Sequence, residues 1–299
     1  MKILIGFFLA ALAVTGFAAT FVFGGALTKT CGVSPEVLVF LRFAIAGGTM
    51  LAVGAATAKG RALLASPTGA DWLEMACLAP VGTCVMAWCI FMGCARVSTA
   101  NASMADALTP LMIYLVDVLA RRRVDMKGLF GLASGFVGAL LVIRIVGRNG
   151  LTLNAYSTGD VYILLSAVTW GAYTVFGQRL IRKLGASVFT TWTMLLGAGL
   201  IGLVLPFGDF AWPSTPKAWA LVVGLGFIST LMPFWTWNAA HRYLRTSTLA
   251  MTAYFTPVIA MGMGVAFLGE GVTGLQWLGT AFIVASAVIE TGGQEVSHA

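Results

Sequence analysis

Apolar positions run in long blocks along this chain, and polar positions gather in the short gaps between them. Ten apolar segments stand out, at about 3–27, 36–57, 71–94, 98–119, 127–145, 159–181, 187–207, 217–240, 246–268 and 274–290. Most reach or approach the ~20 residues that a helix needs to cross a bilayer. The gaps are too short to hold a soluble domain. The pattern predicts an all-α polytopic membrane protein with ten transmembrane helices.

The pattern also repeats. Ala13, Val14, Thr15, Ala18, Thr20 and Lys29 recur 154 residues later as Ala167, Val168, Thr169, Ala172, Thr174 and Lys183. Thr83, Trp88, Thr99, Met104, Thr109 and Pro110 recur at an offset of 147 as Thr230, Trp235, Thr246, Met251, Thr256 and Pro257. Each copy holds five spans, an odd number, so the two copies must point opposite ways. The expected organisation is a first five-helix repeat at 1–147, a second, inverted repeat at 156–291, and a short tail at 292–299. A polar connection at 146–158 separates the halves. Inverted repeats of this kind are the architecture of secondary transporters, with the substrate site between the halves.

Composition sharpens this picture. Of 299 residues, 59% are hydrophobic and 10% charged, with a mean hydropathy of +0.92. Soluble domains carry about 25% charged residues, so this chain has too few to cover a water-facing surface. Most of the 36 glycines lie inside apolar runs, where they let helices approach closely. Lys2 followed by an apolar run looks like a signal peptide. That run is too long for a cleaved segment, and residues 13–29 match the interior sixth span.

The net charge of +7 has its explanation in the loops. With the N-terminus inside, Lys2, Lys59, Arg61, Arg121, Arg122, Arg123, Lys127, Arg179, Arg182, Lys183, Arg242 and Arg245 fall on the cytoplasmic side. Only Lys29, Arg96, Arg144, Arg148 and Lys217 fall on the other, and Arg42 lies inside a span. The positive-inside rule therefore places both termini in the cytoplasm, which an even span count permits. No nucleic-acid partner is needed to account for the charge.

Several fragments, in order, carry a family resemblance. They are Ala-Val-Thr-Trp-Gly at 167–171, Phe40-Leu41-Arg42-Phe43, the Thr-Pro pairs at 109–110 and 256–257, and Leu268-Gly269-Glu270. Across nearly the whole chain this set resembles the EamA-type drug/metabolite transporters, and within them the bacterial aromatic amino-acid exporters of the YddG type. The resemblance implies a multi-pass carrier of the bacterial inner membrane that exports amino acids and related metabolites by alternating access. Its lipid and small-molecule partners require no second subunit. The first half departs from the signature, with Gly16 and Phe17 where the second has Trp170 and Gly171.

Polar groups that tolerate the membrane interior are the candidates for binding. Asp106 lies about 12 Å along the fourth span and Arg42 about 9 Å into the second from the same side, at ~1.5 Å per residue. Their depths suggest an Arg42–Asp106 ion pair. Either the pair fixes helix packing, or Asp106 binds a substrate ammonium or a proton. The family resemblance favours a scaffold role for Arg42. Asn101 and Asn238 are amides within helices, one per half, that serve either as glue or as ligands for a zwitterion. Trp235 and Asn238 are three apart and are expected to share a face. Trp170, Tyr173, Thr174 and Gly177 form one stripe on the sixth span, either an aromatic wall or ordinary packing. Met86, Trp88, Met104, Trp237, Met251 and Tyr254 complete the candidate lining by analogy with family cavities. Pro110 and Pro257, at equivalent positions, are candidate hinges.

Other chemistry has little footing. The cysteines Cys31, Cys77, Cys84, Cys89 and Cys94 have only His241 and His298 for company, so no metal or redox set forms. No Walker A motif is present, and no cofactor is implied. The spans hold no His/Asp/Ser or di-acid set, so no catalytic residues are assigned. The alternatives to an amino-acid exporter are a carrier of threonine, cysteine precursors, nucleosides or drugs, or a non-transport membrane protein.

Overall fold

The computed structural model describes residues 2–96, 108–121, 133, 137, 146–147, 150–151, 158–256, 258–259, 274, 278 and 281–282. The described chain forms α1 (Lys2–Thr30), α2 (Pro35–Ala55), α3 (Ala58–Leu64), α4 (Gly69–Arg96) and α5 (Thr109–Arg121). A two-residue antiparallel ladder, Val146–Gly147 with Gly150–Leu151, follows in the polar connection. Then come α6 (Thr158–Phe176), α7 (Gln178–Leu184), α8 (Ala186–Phe207), α9 (Pro216–Ala240) and α10 (Thr246–Thr252).

Helices α1, α2, α4, α8 and α9 are each long and apolar enough to cross a membrane. The sequence marks their starts. Ser34-Pro35 opens α2 with proline in the first turn, where its missing N–H costs nothing. Thr215 Oγ1 caps α9 by accepting from the Ala218 N–H at 3.1 Å, again with proline following. Thr68 and Asp71 form a capping box at the start of α4.

The sixth span, expected as one run, is divided into α6 and α7 at Gly177, whose Cβ position lies 2.7 Å from Phe189 and from the Tyr173 carbonyl. The fourth and ninth spans are described only in part, as α5 and α10. The fifth and tenth spans lie almost wholly outside the described residues.

Helix α1 packs on α9, α4 on α6, α2 on α8, and α5 on α6 and α10. Small residues set these approaches. Gly82 on α4 sits directly against the Tyr173 ring, and Gly197 on α8 against Thr83. The buried centre holds Trp237, Tyr173, Phe234, Phe43, Phe91 and Arg42, while Leu4, Phe8, Val53, Leu73 and Leu203 point outward. Large apolar side chains on the outer face match a lipid surround.

Three of these helices carry a π-turn: α1 ends in one at Ala26–Thr30, and two hold one mid-span. Pro80–Val85 is π-helical within α4, and Phe227–Leu231 within α9. They begin 147 residues apart, which is the offset of the sequence repeat. A π-turn inserts one extra residue and frees a backbone carbonyl, and such turns concentrate at functional sites.

At one end of the bundle, Lys183 on α7 donates to both Asp71 oxygens at 2.7 Å, and Arg179 pairs with Glu74 at 2.5 Å. At the other, Ser34 and Ala211 exchange hydrogen bonds of 2.9 and 3.0 Å. Asp71 therefore both caps α4 and ties it to α7. Asp71→Ala is expected to lower the thermal midpoint, because it removes the acidic half of the capping box and both bonds from Lys183. Lys183→Ala is expected to lower it less, because Lys183 is 45% exposed and its pair is screened. Thermal unfolding midpoints of both variants in one detergent check the order.

Candidate functional site

The helices converge on a cavity lined largely by buried side chains. Phe17, Thr20 and Phe21 of α1, Arg42 of α2, Met86 and Ile90 of α4, and Thr109 of α5 line it from the first half. Ser166, Ala167 and Trp170 of α6, Phe234 and Trp237 of α9, and Ala253 and Thr256 after α10 line it from the second. The space open to the centre of a water-sized sphere is about 50 Å³. That holds a few waters at about 10–15 Å³ each. The walls are aromatic and in mutual contact. Phe17 meets Trp170 at 5.3 Å, Phe234 at 5.9 Å and Trp237 at 5.8 Å, and Trp170 meets Phe234 at 5.0 Å.

Local irregularities present the lining. After α10 the chain tightens to i→i−3 hydrogen bonds, Ala253 to Ala250, Tyr254 to Met251 and Thr256 to Ala253. Pro257, four residues after Ala253 in the sequence, lacks the N–H that the Ala253 carbonyl would take in a regular helix, and that carbonyl accepts from Thr256 instead. The tightened stretch contributes Ala253 and Thr256. In the first half Pro110 is the second residue of α5, beside the lining residue Thr109.

Arg42 alone among the described lining residues carries a charge, and it is 1% exposed. Its Nε donates to Thr230 Oγ1 at 2.9 Å and its Nη2 to the Ser229 carbonyl at 3.1 Å. Both acceptors belong to the α9 π-turn, and Pro233, four residues after Ser229, has no N–H to offer that carbonyl, which the guanidinium takes instead. The rings of Phe43, Phe91 and Phe234 lie 5.0, 5.3 and 6.0 Å from its centre, within cation–π reach. Its Nη1 has no hydrogen-bond partner among the described residues, and neither does Trp237 Nε1.

A second polar cluster sits behind the Trp170 wall. Tyr173 stacks on Trp170 at 5.3 Å and shares a 3.2 Å hydrogen bond with Thr193. Asn238 Nδ2 donates to Tyr173 Oη at 3.2 Å and to Thr190 Oγ1 at 2.8 Å. Asn238 Oδ1 and Thr174 Oγ1 have no partner among the described residues.

Of the candidate residues, the structure brings Arg42, Met86, Trp170 and Trp237 together at the cavity. Tyr173, Thr174 and Asn238 are buried next to it, and Met251 and Tyr254 are buried without lining it. Trp235 stands apart from Asn238: it is 38% exposed and donates to Ser187 Oγ at 2.8 Å, whereas Asn238 is fully buried. Trp88 donates to Glu36 at 2.6 Å. Asn101, Met104, Asp106 and Pro257 lie outside the described residues, and the hydrogen bonds of Arg42 go to α9. Sequence reading did not select Phe17, Thr20, Phe21, Ile90, Thr109, Ser166, Ala167, Phe234, Ala253 or Thr256. For four of these the repeat held a signal, because Thr20, Thr109, Ala167 and Thr256 all recur between the halves. Among the described residues no cluster of His, Cys, Asp and Glu is placed to hold a metal.

The model of the EamA-like transporter family matches this chain twice, over residues 4–144 and 157–291. The chain belongs to the EamA-like transporter family. It is a multi-pass membrane transporter by that membership. An uncharacterized transporter of Archaeoglobus fulgidus is 25% identical over 264 residues, covering 87% of this chain and 89% of the relative. The uncharacterized transporter YyaM of Bacillus subtilis is 29% identical over 109 residues, 36% of each chain. The uncharacterized transporter YoaV of the same organism is 23% identical over 200 residues, 65% of this chain and 67% of its own. A solved crystal structure matches the fold with a TM-score of 0.73 over 96% of both chains, at 23% identity.

Proposed function

We propose that this transporter is a secondary carrier of the bacterial inner membrane that exports amino acids, aromatic ones favoured, by alternating access. Both termini lie in the cytoplasm, and two inverted five-helix halves, 1–147 and 156–291, enclose the substrate. The observation that carries this reading is the aromatic cavity with a buried guanidinium in its wall, lined by residues from both halves.

The helix pairings support the inverted repeat. Exchanging each span of one half for its counterpart turns α1 on α9 into α6 on α4, and turns α5 on α6 into α10 on α1, all of which are in contact. The mid-span π-turns of α4 and α9 obey the same exchange, whereas the π-turn that ends α1 has an α-helical counterpart in α7. Asp106 occupies the repeat position of Ala253, a lining residue, and the reading assigns its carboxylate to the substrate ammonium. Thr109 and Thr256, one from each half, stand beside the proline hinges the mechanism uses.

One observation favours a second reading. The space of about 50 Å³ suits a smaller solute such as threonine unless the rings of Phe17, Trp170 and Trp237 move apart. Counterflow of labelled phenylalanine, tryptophan and threonine in proteoliposomes separates the two. The proposal expects saturable counterflow of the aromatic amino acids with the solute chemically unchanged. Counterflow of threonine alone would favour the second reading, and counterflow of none would overturn the amino-acid assignment.

A further inference from the structure

We infer that Arg42 and Trp237 together anchor a carboxylate, so that the cavity selects solutes carrying a single carboxylate group over their neutral or cationic analogues. The inference rests on the reading of this cavity as the substrate site and names the chemistry of that site.

Arg42 is buried, and no described residue supplies it with an opposite charge at hydrogen-bonding distance. A buried charge without a counter-charge is costly, and neutral acceptors and aromatic faces relieve only part of that cost. The guanidinium satisfies Nε and Nη2 on α9, and its Nη1 has no partner among the described residues. Trp237, another lining residue, has no partner for its Nε1 among the described residues either. Indole is a donor only, and so is guanidinium. Among the described residues, these two buried lining residues thus hold unused donors and no unused acceptor between them.

The chemistry that uses two donors and one positive charge is a monoanion with two acceptor oxygens. A carboxylate fits this, since its oxygens accept separate charge-assisted hydrogen bonds and its charge balances Arg42. A phosphate dianion would remain uncompensated beside a single guanidinium. A cationic solute would meet Arg42 with like charge. A carboxamide keeps the shape of the acid but loses the charge and places an NH₂ against the donors. The aromatic walls then receive the rest of the solute and leave its identity less restricted.

The test compares acids with their own amides. Purified wild-type protein is titrated with phenylalanine, threonine and 3-phenylpropionate and with the carboxamide of each, with thermal stabilisation and competition in counterflow as readouts. Each acid that binds is expected to bind at least tenfold more tightly than its amide. Trp237→Phe, which removes only the indole donor and part of the ring, is expected to weaken the acids severalfold and leave the amides unchanged. Arg42→Lys, which keeps the charge and loses the fork, is expected to weaken acids about tenfold and to bind them better than Arg42→Gln. If Arg42→Gln fails to fold, the wild-type comparison and Trp237→Phe decide. Acid-over-amide selectivity for threonine or 3-phenylpropionate without any phenylalanine binding would support the anchor and overturn the aromatic assignment. Equal binding of acids and amides would overturn the anchor and leave the carrier assignment standing. Failure of every acid in the series to stabilise the protein would also overturn the anchor.

Discussion

Gly82→Val is expected to eliminate folded protein from detergent extracts. Any Cβ at residue 82 would overlap the Tyr173 ring. That ring has nowhere to go. It stacks on Trp170, packs against Phe189 at 5.3 Å, and its hydroxyl is held by Thr193 and Asn238. Overpacking a well-filled core typically costs about 1–3 kcal/mol, and a β-branched side chain against an immobile ring belongs at or above the top of that range. Residue 82 also lies inside the α4 π-turn, so a backbone shift would disturb the turn itself. Gly48→Ala is the control, because a Cβ there meets nothing within 4 Å. It is expected to match or slightly exceed wild type in stability, since alanine gains up to about 1 kcal/mol over glycine in a helix. Size-exclusion profiles and thermal midpoints of the two variants make the comparison. A monodisperse Gly82→Val with a wild-type midpoint would contradict the packing described here.

Arg42→Met is expected to leave a folded protein that does not transport. Two opposing terms govern its stability. The charge-assisted hydrogen bonds to Thr230 and Ser229 are lost, at about 1.5–3 kcal/mol each. The desolvation penalty of a buried cation, several kcal/mol, is lost with them. These nearly cancel, and methionine fills much of the same volume among Phe43, Phe91 and Phe234. Transport has no such offset if the guanidinium holds the substrate. Initial counterflow of phenylalanine, normalised to reconstituted protein, is expected to fall at least about a hundredfold, or about 2.8 kcal/mol at 1.4 kcal/mol per tenfold. Wild-type counterflow in this variant would make Arg42 a scaffold residue only.

The contrast between Arg42 and Trp235 shows what the sequence could reveal. Depth along a span identified Arg42 as a charge in the membrane interior, and that required only the rise of a helix. Its acceptors were half legible: Pro233 leaves the carbonyl four residues earlier, that of Ser229, without a helical N–H, but nothing in the sequence said that Arg42 would reach it. Prolines adjoin both π-turns, Pro80 opening one and Pro233 just beyond the other, but not at equivalent positions. Trp235 and Asn238 are three residues apart, which leaves them about 60° from alignment on a helix of 3.6 residues per turn. That angle is wide enough to straddle the boundary between the packed and outer faces, so one is buried and the other is not. Trp170 and Tyr173 have the same spacing, and there one lines the cavity while the other buttresses it. Phe17 escaped selection because it replaces the glycine of the second half, and a departure from a repeat reads as lost signal. In the structure it supplies a ring that meets Trp170, Phe234 and Trp237. The long helices themselves were fully legible, since apolar length alone defines them.

The most direct test of the cavity as the transport site is a single cysteine at Ser166, which lines it and is 2% exposed. The five native cysteines are first replaced, and Ser166→Cys is reconstituted and treated with a small thiol reagent, with and without phenylalanine. The account predicts that labelling stops counterflow and that phenylalanine slows labelling in a saturable way. Labelling at an unchanged rate under saturating phenylalanine, with counterflow intact after the label is in place, would contradict it.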